Sequence, residues 1–151
     1  MMTGIELRSR SFSDHGFIPA RHAHDRGNVS PALAWSGVPT EATELVLLCE
    51  DLDAPRGPFV HWLVTGIDPS RGGVDEGHLP DHGQPRRNDF GETGWGGPQP
   101  PSGDNPHRYA FRVYALPRPV PLPDRAGAQD VHHVLDGAAL VTGTLVGRYE
   151  R

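Results

Sequence analysis

Four side chains in this 151-residue sequence have the type and placement to do chemistry together. Asp51 and Asp53 stand in "EDLDAP" (50–55), directly after an apolar run. His61 lies near the start of "FVHWLVTGI" (59–67), and His107 opens "HRYAFRVYAL" (107–116). If these segments are neighbouring strands, all four residues lie at strand ends and can converge. A carboxylate close to an imidazole favours the imidazolium form. Two such histidines lining a small cleft would make a cationic, hydrogen-bond-donating site suited to phosphate, sulfate or carboxylate. The aspartates would orient the rings and limit their repulsion.

Each residue also has a plainer reading. Asp51 and Asp53 suit the turn that follows a strand, and His61 or His107 alone reads equally well as a satisfied strand histidine. His22, His24, His78, His82, His132 and His133 read as surface residues. "HAH" at 22–24 supplies two metal-ligand side chains without a partner motif, so no metal or cofactor is expected. Cys49 sits inside "LVLLC" and reads as a buried, inert thiol. The sequence has no G-x-S-x-G elbow, P-loop, H-E-x-x-H or G-x-G-x-x-G fingerprint. The enzyme alternative is a hydrolase using the Asp/His cluster as general acid and base on an ester or phosphoester. It therefore lacks an activated nucleophile, and a binding protein is the first expectation.

The elements that must position these residues are mostly strands. "ELVLLCED" (44–51) is a continuous apolar run and reads as a buried central strand. Residues 59–67 are a second β-rich run. In 107–116, Tyr109, Phe111 and Val113 share a face with His107, while Arg112 and Tyr114 take the other. "IELRSRSF" alternates like an edge strand, and "ALVTGTLVGRYER" like a last one. "AGAQDVHHVLDGA" is the one helix candidate, with Val131, Val134, Leu135 and Ala138 on a 3.6-residue stripe. Residues 21–39 and 68–106 read as loops. Within the latter, "GWGGPQPPSGDNP" (94–106) holds four glycines and four prolines. Glycine permits close backbone approach and proline holds loop shape without secondary structure. Trp95 reads as an apolar wall for the cleft.

Composition sets the outer limits. One cysteine excludes an intrachain disulfide and a thiolate cluster. The net charge of −5 and the lack of a Lys/Arg run give no basis for binding nucleic acid or an anionic membrane. "MMTGIELRSRSF" has no apolar leader pattern, and no apolar run approaches the roughly 20 residues of a membrane helix. The expectation is a cytoplasmic protein with no integral membrane segment. It is mainly β, with a single domain over 1–151, long ordered loops and one or two short helices.

At this point the chain resembles the phosphatidylethanolamine-binding protein (Raf kinase inhibitor protein-like) family, in its short bacterial branch. The carrying pieces, in the family's order, are "SPALAWSGVP" (30–39), "EDLDAP", "FVHWLV" (59–64), "NDFGETGWGGPQPPSGDNPHRYAF" (88–111) and "LVGRYER" (145–151). The resemblance implies a β-sandwich-like fold with a small anion pocket for a phosphate or phospholipid headgroup. Its ligand-binding residues would be Asp51, Asp53, His61, Pro101 and His107. Trp95, Gly97, Pro98 and Pro100 belong to the same loop. Trp62 should point to the opposite face from His61 if the strand is regular. The family name implies a kinase or protease as protein partner, and relatives imply a homodimer. Leu52 replaces the family's proline, Trp95 its usual tyrosine, and the end at Arg151 implies an open pocket mouth.

Overall fold

The structure is a computed structural model that describes residues 4–151. Among the described residues, eight strands form two antiparallel sheets. The smaller sheet orders β1 (Glu6–Arg8), β2 (Leu33–Ser36) and β5 (Gly73–Val74) as β1-β2-β5. The larger orders β3 (Glu44–Asp51), β4 (Phe59–Ile67), β6 (Gln84–Pro85), β7 (His107–Leu116) and β8 (Val141–Tyr149) as β6-β4-β3-β7-β8. One α-helix, α1 (Ala128–Leu135), packs on the outer face of the larger sheet, and a 3-10 turn covers Ala20–His22. The mainly β, sandwich-like architecture agrees with the sequence expectation.

The larger sheet is covered on both faces, which is why β3 is apolar from Leu45 to Cys49 and buried at all eight positions. Toward the smaller sheet it presents Leu45, Leu47, Cys49, Trp62, Phe111 and Val113 against Leu7, Leu33 and Trp35. Toward α1 it presents Val46, Leu48, Val60, Leu63 and Tyr114 against Val131 and Leu135. Cys49 is buried and its thiol pKa is pushed up, first by that burial, as expected of an inert cysteine.

Two readings of local structure are corrected. The segments read as loops contain β2, β5 and β6. These strands have only four, two and two residues, and Pro31 and Pro39 flank β2, so the period-2 signal is too short to see. The second correction concerns β4. Its pairing with β3 steps from Cys49↔Trp62 to Glu50↔Val60, so His61 is the extra residue of a β-bulge. The bulge breaks the alternation. His61 and Trp62 both face the core of the smaller-sheet side, where His61 meets the Tyr109 ring and Trp62 meets Trp95.

His132 was expected at the surface and instead ties α1 to the sheet. Its Nε2–H donates to Glu50 Oε2 at 2.8 Å, and its Nδ1 side lies 3.1 Å from the Asp136 carboxylate. Glu50 is fully buried and also pairs with Arg112. Adjacent residues of β3 thus serve opposite faces, Glu50 toward the helix and Asp51 toward the histidine cleft.

Candidate functional site

Antiparallel pairing brings three strand ends to one edge. Asp51, last in β3, lies opposite Phe59, first in β4, and opposite Tyr109, two residues into β7. Strand pairing therefore gathers Asp51, His61 and His107 without help from the loops. A cleft of about 140 Å³ opens there, lined by these three residues with Phe59, Phe90, Pro55, Pro100 and Pro101 among its walls. A larger groove of about 390 Å³ runs past Arg8, Arg10 and Asp75, but these charged side chains are all exposed.

The two histidines differ in electrical character. The Nδ1–H of His107 donates to Asp51 Oδ2 at 2.7 Å, with both side chains only 7% exposed. Its Nε2–H donates to Asp104 Oδ2 at 3.1 Å. Burial opposes the imidazolium, but the two carboxylates outweigh it, and the pKa of His107 rises above the ordinary histidine value. Asp51 is positioned in turn by the Asp53 N–H, which donates to its Oδ1 at 2.8 Å.

His61 is buried at 3% exposure, and its Nδ1–H donates to the Gly96 carbonyl at 2.6 Å. Only the N–H form can make that bond, because a carbonyl oxygen accepts and never donates. Burial pushes the His61 pKa down, with the Gly96 bond opposing. The ring is thus neutral near pH 7 with Nδ1 protonated, which leaves Nε2 as an acceptor. The sequence expectation of two cationic donors is corrected to one imidazolium donor, His107, and one neutral acceptor, His61. The cause is the aromatic enclosure of His61 by Phe59, Phe90 and Tyr109, with ring centroids 5.0, 5.3 and 5.2 Å away.

The remaining expected residues divide. Pro100 and Pro101 line the cleft. Asp53 does not. Its carboxylate turns to Arg108, accepting from the backbone N–H at 2.8 Å and from the guanidinium at 2.8 and 3.0 Å, and the Arg108 bonds hold its pKa below the usual range. The chain leaves β3 after Asp51 and turns through Leu52 and Asp53, so the strand's alternation no longer governs where Asp53 points. Trp95 is not a cleft wall either. Its indole stacks on Phe111, meets Trp62 edge-on at 5.4 Å, and donates Nε1–H to the His22 carbonyl at 3.2 Å. Phe59 and Phe90 supply the apolar wall in its place.

Gly97 and Pro98 face the 22–28 segment. The Gly97 N–H donates to Asn28 Oδ1 at 2.8 Å, and the Pro98 carbonyl accepts from His24 N–H at 3.0 Å. A Cβ on Gly97 would lie 1.9 Å from the His22 carbonyl oxygen, so only glycine fits. His22, read as a surface residue, is completely buried beneath this contact. Its Nδ1–H donates to the Val29 carbonyl at 2.6 Å, and burial lowers its pKa. Sequence reasoning missed Asp104, Phe59 and Phe90. The one available signal for Asp104 was its position three residues before His107.

Two antiparallel sheets with a histidine–carboxylate cleft at the strand ends define a small β protein with a built polar site. The family model described as phosphatidylethanolamine-binding protein matches residues 8–150. The chain is 41% identical over 152 residues to a UPF0098 protein of Methanothermobacter thermautotrophicus, spanning 97% of this chain and 99% of that one. It is 38% identical over 147 residues to a Mycobacterium tuberculosis protein whose name describes it as a lipoprotein, LppC, spanning 95% and 73%. Among solved structures, the phosphatidylethanolamine-binding protein homologue CT736 of Chlamydia trachomatis superposes with a TM-score of 0.86 at 32% identity, covering 99% of each chain. Escherichia coli YbcL, described as a member of the mammalian family, superposes with a TM-score of 0.89 at 29% identity over 97% and 98%. The chain belongs to the phosphatidylethanolamine-binding protein family. Among the described residues, no helix is long and apolar enough to cross a membrane.

Proposed function

We propose that the cleft binds a small anion, a phosphate group free or carried on a headgroup or side chain. The observation that carries this reading is the buried Asp51–His107 pair, 2.7 Å apart, which holds a protonated imidazole at the cleft edge. His61 supplies the complementary acceptor, which suits a phosphate oxygen that still bears a proton. The apolar walls of Phe59, Phe90 and Pro101 suit a short organic substituent. Both His107 nitrogens are engaged by carboxylates, so no free lone pair is available there for general-base catalysis.

The test is titration of the protein with inorganic phosphate and with phosphoethanolamine, followed by the histidine NMR resonances. His61 and His107 are expected to shift together while His132 stays fixed. If neither moves at millimolar ligand, the reading is wrong.

A further inference from the structure

The two carboxylates on His107 are not equivalent. Asp51 is 7% exposed and fixed by β3 and by the Asp53 N–H. Asp104 is 46% exposed, and its carboxylate has no hydrogen-bond partner but His107 among the described residues. It ends a turn, 101–104, closed by the Asp104 N–H donating to the Pro101 carbonyl at 3.2 Å, with Gly103 at φ 91°. Pro101 lines the cleft, whereas Asp104 lines an open hollow beyond His107 beside Arg108 and Arg148. With Nδ1 committed to Asp51, Nε2–H is the one donor His107 can offer to an arriving anion. Asp104 already sits on it.

We propose that Asp104 is a built-in competitor anion whose carboxylate holds the His107 Nε2–H until a ligand oxyanion displaces it. The inference rests on the anion-binding reading of the cleft. It also specifies the ligand. A tethered group acts at an effective concentration on the order of millimolar. A free carboxylate repeats the contact Asp104 makes and competes poorly against it. A phosphate monoester brings up to two charges and three acceptor oxygens, so it displaces Asp104 where acetate does not. Asp104 is thereby a specificity-determining residue, setting a threshold that phosphate passes and simple carboxylates fail.

The experiment compares the wild type with Asp104→Asn, using inorganic phosphate and acetate as probes and the His61 and His107 resonances as readout. Asp104 is exposed on a turn, and an unchanged free-state His61 resonance confirms that the variant is folded. Without ligand, His107 in Asp104→Asn titrates at lower pH than in the wild type, because one carboxylate partner is gone. Phosphate binds the variant about two- to fivefold more tightly, the worth of an exposed ion pair, and acetate binding becomes measurable. At saturating phosphate the His107 titrations of the two proteins coincide, since the ligand now takes Nε2–H in both. If the difference persists undiminished at saturation while His61 and His107 both respond to phosphate, Asp104 stays in place and this proposal fails, although the cleft binds. If phosphate moves neither histidine in either protein, the anion-binding reading fails and takes this one with it.

Discussion

Gly97→Ala probes the construction of the site most directly. Gly97 does not have a positive φ, so alanine is conformationally allowed, and space alone forbids it. The added Cβ would lie 1.9 Å from the His22 oxygen and 2.9 Å from the Ala23 carbonyl carbon, where ordinary contact begins at 3.4 Å. The two backbones must therefore part by about 1.5 Å. They are tied by the Gly97–Asn28, His24–Pro98 and Trp95–His22 hydrogen bonds, of 2.8, 3.0 and 3.2 Å. Overpacking costs about 1–3 kcal/mol, and one broken hydrogen bond adds about 1 kcal/mol. The expected loss is about 2–4 kcal/mol, or roughly 4–16 °C in Tm for a domain of this size. Because the neighbouring Gly96 carbonyl holds His61, the His61 resonance should move as well. The assay is thermal unfolding, with Gly137→Ala as control, since a Cβ there meets nothing within 4 Å. A Gly97→Ala variant melting within about 2 °C of the wild type, with His61 unmoved, would refute the close-packed wall.

Glu50→Gln leaves the Arg112 and His132 cations without their buried partner and should cost about 3 kcal/mol in denaturant unfolding; a loss below about 1 kcal/mol would mean the cluster does not anchor α1. The His132 pKa is raised above its ordinary value, with burial opposing and Asp136 and Glu50 prevailing. Its contribution is therefore full below the ordinary histidine value and is lost as pH rises through the folded-state value. His132→Gln should accordingly destabilise most in acid, and a pH-independent difference in melting temperature would contradict that assignment. His61 and His22 have the opposite sign, because their folded pKa values are lowered. Their burden on stability should grow as pH falls through the ordinary histidine value, which His22→Phe should relieve in melts across the same range. Asp51→Asn should abolish the His107 response to phosphate, whereas Asp53→Asn, paired with Arg108 outside the cleft, should preserve it; equal loss in both variants would overturn the division between the two aspartates.

Much of the frame was legible in the chain. The strands β3, β4, β7 and β8 follow from apolar runs and period-2 alternation, and α1 from its 3.6-residue stripe. Such patterns depend only on neighbours in sequence, so local reading suffices for them. Burial of Cys49 followed from its place in an apolar run, and the meeting of Asp51, His61 and His107 followed once their strands were taken as neighbours. The resemblance carried by "EDLDAP", "FVHWLV" and the Gly/Pro segment pointed to the family, which the family model over residues 8–150 shows.

Tertiary structure decided the electrical character of the site. The bulge at His61 arises from pairing with β3, and it turns His61 and Trp62 to one face where alternation separates them. Enclosure of His61 by Phe59, Phe90 and Tyr109 keeps it neutral, while His107 is charged because carboxylates 56 positions upstream and three positions upstream meet its two nitrogens. Asp53 and Trp95 left the expected site because Arg108 and the Trp62–Phe111 pair offered closer partners. Residue types and strand periods are local properties, but protonation state and partner choice depend on burial and distance between remote segments. For that reason the sequence by itself determined which side chains could meet, and only the fold determined that one histidine donates, the other accepts, and Asp104 takes the second nitrogen of His107.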